Sequence, residues 1–485
     1  MRAQSQRHLH GLRRGSSTVL LACVGAFFLS ASTARANPSC FPREMTPSEC
    51  AVACMASSAA MTLDRANATD TVSAMQNIDL ARMNGMKMPS NAAARLLMNE
   101  ASGTSMNPMS STMPMRMMMA GKWNFGFMAN GFITDTQQSG PRGGDKFYST
   151  NAFMGSAEHA IGDGSVLFDV MLSAEPATIT DRRYPLLFQT GEAAFGKPIE
   201  NGQHPHNLVM AIGLHYARPV GTNTVLEAYF APVGDPALGP VAFPHRDSAA
   251  ELPEAPIGHH WEDSSHIAYE VATAGVKYKI ARLEVSGFHG AEPNENRWNI
   301  AAGAMDSWAA RFSVFPTSNW AAQVSVGRLT HPEALEPGDV VRTTASVSYS
   351  RPMGGANWAT SFIFGRNHST AATGRGTNAF LLESVIPFRE KNYFTGRWEM
   401  VDKNELFAAE PALEQQLAST VGDTFRIGAY TLGYTRYVRL WPPIETGFGA
   451  NFSTYTMPSA ITPFYGEHPF GVNMYLHFRL KPKNQ

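Results

Sequence analysis

Residues 471–480 read "GVNMYLHFRL". Val472, Met474, Leu476, Phe478 and Leu480 fall on one parity, while Asn473, His477 and Arg479 fall on the other. Successive side chains of a strand point to opposite faces, so this stretch has one greasy face and one polar, ionic face. A barrel strand in a membrane turns the first to lipid and the second to its lumen. The pattern recurs upstream. In "NLVMAIGLHY" (207–216), Leu208, Met210, Ile212, Leu214 and Tyr216 are expected to face lipid, with Ala211, Gly213 and His215 inward. "AFLLESVI" (379–386) sends Phe380, Leu382 and Ile386 out and Glu383 in. "NYFTGRWEM" (392–400) sends Phe394, Trp398 and Met400 out, with Arg397 and Glu399 in.

Sixteen such segments are expected, at 122–133, 146–158, 164–174, 207–217, 223–231, 265–278, 281–289, 306–315, 319–329, 340–351, 355–366, 377–387, 391–401, 424–437, 444–455 and 471–480. The gaps between them sort by length. Alternate gaps are long (134–145, 175–206, 232–264, 290–305, 330–339, 367–376, 402–423 and 456–470), and the others are turns such as "AIGDG", "RPVGT", "FPTS", "PMGG" and "PFREK". Gly, Pro, Ser and Asn are the residues that tight turns demand. Short turns on one rim and long loops on the other are what an outer-membrane barrel requires, whereas a soluble sandwich has no reason to sort its loops. Residues 122–480 resemble a Gram-negative outer-membrane β-barrel of porin type. The resemblance implies an all-β, closed antiparallel transmembrane barrel of about 16 strands in the cell outer membrane.

The ends agree with export. Arg2, Arg7, Arg13 and Arg14 precede an apolar run from Thr18 to Leu29 and an Ala34-Arg35-Ala36 cleavage site, so residues 1–36 read as a signal peptide. A lipobox reading of Leu20-Leu21-Ala22-Cys23 would leave almost no apolar run ahead of the cysteine. Losing the signal moves the formal charge from −1 to about −6, which argues against a nucleic-acid partner. Apolar residues make up 44 % and charged ones 16 %, lean in charge for an exported soluble chain, yet after Ala36 no stretch is long enough for a membrane-spanning helix. Outer-membrane lipid and a small-molecule or ion solute are the expected partners.

Residues 37–121 differ in kind and read as a methionine-rich periplasmic extension of short helices and disordered chain ahead of the barrel at 122–485. A capping box at Thr46-Pro47-Ser48-Glu49 opens one helix, and Pro89-Ser90 is expected to open another through "NAAARLLMNEA". Cys40, Cys50 and Cys54 remain after cleavage, an odd number; Cys40 with either of the others is the better-oriented pair, leaving one thiol over.

Fifteen of the 25 methionines lie between Met45 and Met119, most densely at Met113, Met115, Met117, Met118 and Met119. Thioether sulfur is a soft ligand suited to Cu(I), although methionine also serves as flexible apolar filler. B-type outer-membrane copper-resistance proteins are similar in placing a methionine-rich extension before a barrel, and that resemblance implies copper. Histidine gathers in the two largest loops: His204 and His206 in "QHPHN", His245 in "FPHRDS", and His259 and His260 with Glu262 and Asp263 in "GHHWEDSSH". Imidazole beside carboxylate suits Zn(II) or Cu(II), while a hydrogen-bonded plug is the structural alternative. Asp169, Glu227, Glu270, Arg282, Glu284, Arg311, Arg342, Glu383, Arg397, Glu399 and Arg479 are expected inward; their mixed signs favour a bracing network over a selectivity ring.

The expectation is therefore a non-enzymatic channel or binding protein for small solutes, with copper or another soft metal handled by the methionine segment. A general porin with no metal role is the alternative. A lipid-modifying enzyme using the serine and histidine of "DSSH" is a third, weakened by the lack of a G-x-S-x-G elbow.

Overall fold

A computed structural model describes residues 91–111, 115–263, 268–334, 338–353, 356–371, 374, 376–441 and 443–480. All belong to the second of two compact units, Met1–Gln76 and Asn77–Gln485. The signal peptide, the capping box, the three remaining cysteines and Met113 lie outside the described residues.

Helix α1 (Ala92–Leu97) and two short paired strands, β1 (Glu100–Ser102) and β2 (Ser105–Met106), precede β3 (Met115–Ala120). Sixteen long strands follow, in two groups separated by a loop hairpin. The first three are β4 (Trp123–Gln138), β5 (Gly144–Ile161) and β6 (Gly164–Leu172); the hairpin is β7 (Tyr184–Ala194) and β8 (Lys197–Gln203). The others are β9 (Val209–Val220), β10 (Thr224–Gly234), β11 (Ala268–Tyr278), β12 (Ala281–His289), β13 (Ser307–Thr317), β14 (Trp320–Leu329), β15 (Val340–Met353), β16 (Ala356–Ser369), β17 (Gly376–Phe388), β18 (Asn392–Lys403), β19 (Phe425–Trp441), β20 (Ile444–Thr456) and β21 (Phe470–Leu480). Every expected strand is present, and each pairs antiparallel with its neighbours to close the barrel.

Closure is shared at one seam. β21 takes the loop-side part of β4, with Gly471 opposite Gln138 and Arg479 opposite Asn130. β3 takes the turn-side part, with Met115 opposite Met128 and Ala120 opposite Trp123. The sheet thus begins at Met115, ahead of the expected 122, because β4 would otherwise present unpaired backbone groups to lipid.

The two faces segregate as their periodicity demands. Phe168, Leu214, Phe230, Leu283, Phe312, Leu382, Phe394, Leu432, Phe452 and Met474 stand exposed on the outer wall. Trp123, Tyr278, Trp320 and Trp441 ring the turn end, and Phe147, Trp308, Tyr430 and Phe470 ring the loop end, the aromatic girdles of a transmembrane barrel. The long-loop rim is external and the short-turn rim periplasmic. Leu432, 72 % exposed in the middle of β19, provides a check on which face meets lipid. Leu432→Arg is expected to cost about 2–4 kcal/mol in a folding titration into bilayers, whereas alanine at its lumen-facing neighbour Thr431 should cost far less. Met210 departs from the expected lipid side. It sits at a bulge, since Leu172 pairs with Val209 and Met171 with Ala211, and the skipped residue turns inward.

Among the described residues two segments fill most of the lumen, and the β7–β8 hairpin packs Leu186, Leu187 and Phe188 against Val401, Ile427 and Tyr455 of the wall beside them. The loop after β10, residues 235–263, descends from the external rim to the periplasmic end and returns. On the way it meets almost every quarter of the wall: Ser286 on β12 accepts from Ala237 N, Ser325 on β14 from Gly239 N, and Thr377 on β17 from Trp261 Nε1. Glu254 accepts from Asn451 and Asn473, Tyr475 donates to Glu251 O, and Asp247 accepts from Ser350 and Asn357 near the periplasmic turns. Residues 91–111, expected as part of a loosely packed extension, are tucked into the periplasmic mouth instead. Asn91 caps α1 and also donates to Gly164 O; Ala93, Leu96 and Leu97 bury against Leu167, Ala217 and Val225. Ser110 bonds across the mouth to Ser318 and Ser350.

Ion pairs fasten both segments. Arg282 reaches Glu100 and Glu227 at 2.5 Å each and lies 3.6 Å from Glu284, which also pairs with Arg311 at 2.9 Å. Arg246 on the loop lies 2.6 Å from Glu383 and 3.0 Å from Asp263, and Arg397 holds the other oxygen of Glu383 at 3.0 Å. Glu227, Arg282, Glu284, Arg311, Glu383 and Arg397 therefore neutralise one another and brace wall to plug, while Glu399 accepts from Gly258 N and Arg342 donates to Asn367 and Asp263 O.

Candidate metal centre

The external loops place the histidines. The β7–β8 hairpin slips register twice and then delivers His204 and His206 just ahead of β9. The ascending limb of the 235–263 loop ends in a one-turn helix, His259–Glu262. Gly191 makes the meeting possible: its φ is +112°, and a Cβ there would lie 2.3 Å from His260 Cε1.

His204, His259 and His260 converge, with one ring nitrogen from each lying within 4.8 Å of the others. Ring centroids of His259 and His260 are 4.2 Å apart, and those of His204 lie 6.1 and 5.8 Å from them. All three rings are buried. Burial holds His204 down to about 4 and His259 and His260 well below the usual imidazole range, so all three are neutral at physiological pH, the form that ligates metal. His259 Nδ1 lies 2.8 Å from Pro256 O. A carbonyl can only accept, so Nδ1 carries the proton and Nε2 presents its lone pair.

Carboxylates complete the set. Glu192 Oε1 lies 3.2 Å from His204 Nε2 and pairs on its other side with Arg297. His260, Glu292 and Glu333 form a second group of ligand atoms within the same 4.8 Å limit. Burial raises the carboxyl of Glu292 well above its ordinary value, with Glu333 adding repulsion; burial also raises Glu333. Two half-buried carboxyls that resist ionising mark a place short of positive charge, which a divalent cation would supply.

The remaining candidates divide. His206 points elsewhere, its Nδ1 3.0 Å from both oxygens of Glu175; burial opposes its charge, but that carboxylate prevails and raises its pKa. His245 lies at Met171, with Nε2 2.9 Å from Sδ. Strand alternation separates the methionines of β3: Met115, Met117 and Met119 share the inward face of their β4 partners, while Met118 points outward and is 54 % exposed. Residues 264–266, which hold the serines and last histidine of "DSSH", lie outside the described residues. Glu192, Glu292 and Glu333 were not foreseeable. They come from three different loops, and only the wall that carries those loops brings them to His204 and His260.

A cavity of about 50 Å³ separates Phe132 and Thr150 on the wall from Phe243 and His206 on the loops, room for one or two waters. No family model and no curated protein matches the chain, so the resemblance to copper-resistance proteins rests on methionine composition alone. Among solved structures it is similar to Salmonella typhi OmpF in complex with daunomycin (TM-score 0.46, 7 % identity, covering 75 % of this chain and 99 % of that one). It is also similar to Pseudomonas putida OprB (0.45, 11 %, 74 % and 94 %) and to an anion-selective porin from Comamonas acidovorans (0.41, 10 %, 73 % and 99 %). These likenesses concern the fold alone. What makes the chain a closed transmembrane β-barrel is its own wall, apolar and girdled with aromatics outside, polar and ion-paired within.

Proposed function

We propose that the chain is an outer-membrane channel for a small solute, and that the solute is a metal ion met at the external mouth by His204, His259 and His260. The convergence of three neutral imidazoles from two separate loops, beside half-buried carboxyls, carries this reading. Such a nitrogen and oxygen set suits Cu(II) or Zn(II). The filled lumen supports a selective route over a general porin, because passage requires the 235–263 loop to shift. Its ties to the wall are mostly polar and ionic, bonds that water can replace one at a time.

His259→Ala with His260→Ala, in the full chain purified in detergent, is expected to weaken Zn(II) binding by about 10–100-fold in a calorimetric titration. Zinc is the discriminating probe because thioethers in the extension contribute little to its binding. Unchanged zinc affinity in that variant would remove the metal from this reading and leave an occluded channel for another solute.

A further inference from the structure

The inner face of four neighbouring strands carries methionine in one row. Met115 on β3 stands opposite Met128 on β4, Met128 opposite Met154 on β5, and Met154 opposite Met171 on β6. Directly opposed residues share a face, with Cβ atoms about 4.5–5.5 Å apart. Met210, turned inward by the β9 bulge, joins Met154 and Met171 in a single cluster. At the periplasmic end of the row, Gly126 leaves a gap: a Cβ there would lie 2.6 Å from Met115 Sδ and 3.3 Å from Met117 Sδ, so two sulfurs converge over bare backbone.

The other end of the row meets an imidazole. His245, on the descending limb of the lumen loop, is 7 % exposed and sets Nε2 2.9 Å from Met171 Sδ. Among the described residues its Nδ1 meets no hydrogen-bond partner. Methionine rows commonly serve only to fill space. Filling, however, does not account for the histidine, since a buried ring that faces a weak thioether acceptor on one side and nothing on the other costs free energy an apolar residue would spare.

We propose that Met154, Met171, Met210 and His245 form a site for a soft monovalent cation, Cu(I) or Ag(I). Thioethers prefer such ions to harder divalent ones. The ligand set is neutral: three thioethers carry no charge, and an imidazole ligates as the neutral ring. A neutral set leaves only the ion's own charge to be buried, so a single charge is far less costly than a double one. The site is distinct from the imidazole cluster at the external mouth and stands whether or not that cluster takes a divalent ion. Met128, Met115 and Met117 continue the thioether lining towards the periplasmic mouth, giving a soft ion a graded series of weak ligands.

The test uses the full chain in micelles with ¹³C-labelled methionine methyl groups, and Ag(I) as probe. Single Met→Leu variants assign Met154, Met171 and Met210, so their signals are read separately from those of the extension. Their three resonances are expected to move together during the titration. His245→Ala should weaken that response by about tenfold or more, and the His259→Ala, His260→Ala variant should leave it unchanged. Silver that shifts only other methionines overturns the site, as does a Met171 response indifferent to His245→Ala. Loss of the response in the mouth variant would overturn its separateness.

Discussion

Excising residues 240–262 and joining Gly239 to Asp263 through a short Gly-Ser link is expected to convert the barrel into an open channel. Those two ends already touch, since a Cβ on Gly239 would lie 2.7 Å from Asp263 Cα. The wall keeps a partner for each charge it loses to the deletion. Glu383 gives up Arg246 but retains Arg397 at 3.0 Å, and Arg479 gives up Glu251 but retains Glu445 at 2.9 Å. Glu399 loses the backbone N–H of Gly258 but keeps the charge of Arg397 beside it, so the barrel should still fold. Residues 91–111 and the β7–β8 hairpin stay, but a sixteen-strand wall freed of the segment that runs the length of its lumen is wide enough to hold water, and single-channel conductance in planar bilayers should rise by roughly tenfold or more. Heat-modifiable migration on gels would confirm that the wall survives. A folded deletion variant with the conductance of the intact chain would show that the loop is not what obstructs the lumen.

Replacing Arg282 with methionine should have the largest effect of any single substitution. Its guanidinium is fully buried, donates to Glu100, Glu227 and Thr104 O at 2.5 Å each, and faces Glu284. Removing it strands the buried carboxylate of Glu227, whereas Glu100 keeps His215 at 2.8 Å and Glu284 keeps Arg311 at 2.9 Å. Loss of one member of a buried ionic cluster typically costs about 3–5 kcal/mol. Two readouts are expected: a fall of that size in a guanidinium titration, and protease cleavage within residues 91–111, which Arg282 holds in the periplasmic mouth. Arg282→Lys should rescue little, because one ammonium cannot reproduce a forked donor shared among three acceptors. Adding Glu227→Gln to Arg282→Met should recover part of the loss. A change below about 1 kcal/mol would mean that the cluster is solvated and the mouth held by something else.

The strands were legible because lipid and lumen impose opposite chemistry on alternate residues. That rule fails where chemistry and position part company. The first long gap was expected at 134–145, yet β4 runs to Gln138 and β5 starts at Gly144. Thr134, Thr136 and Gln138 look like loop composition but line a polar lumen, where Gln138 accepts from Leu187 N of the hairpin. Met210 was misplaced because a bulge is a backbone event with no side-chain signature. Helix α1 was visible in "NAAARLLMNEA", although Asn91 caps it in place of the expected start at Pro89-Ser90. Its burial in the mouth was not visible, since Glu100 finds Arg282 across 182 residues of sequence. The histidine cluster was half legible. Composition marked two of the loops that meet there, but His206 and His245 belong to other partners, and the carboxyls of Glu292 and Glu333 enter from the next two external loops.

The sharing of β4 between β3 and β21 bears on how the cylinder is made. The first strand to leave the export machinery and the last one must both dock on the same stave, end to end, before insertion is complete. A chain lacking residues 115–120 could still circle round, but a notch of bare amides would be left facing the acyl chains. Methionine-bearing β3 therefore works as a keystone, and biogenesis of this wall depends on a piece that composition alone would assign to a dangling tail.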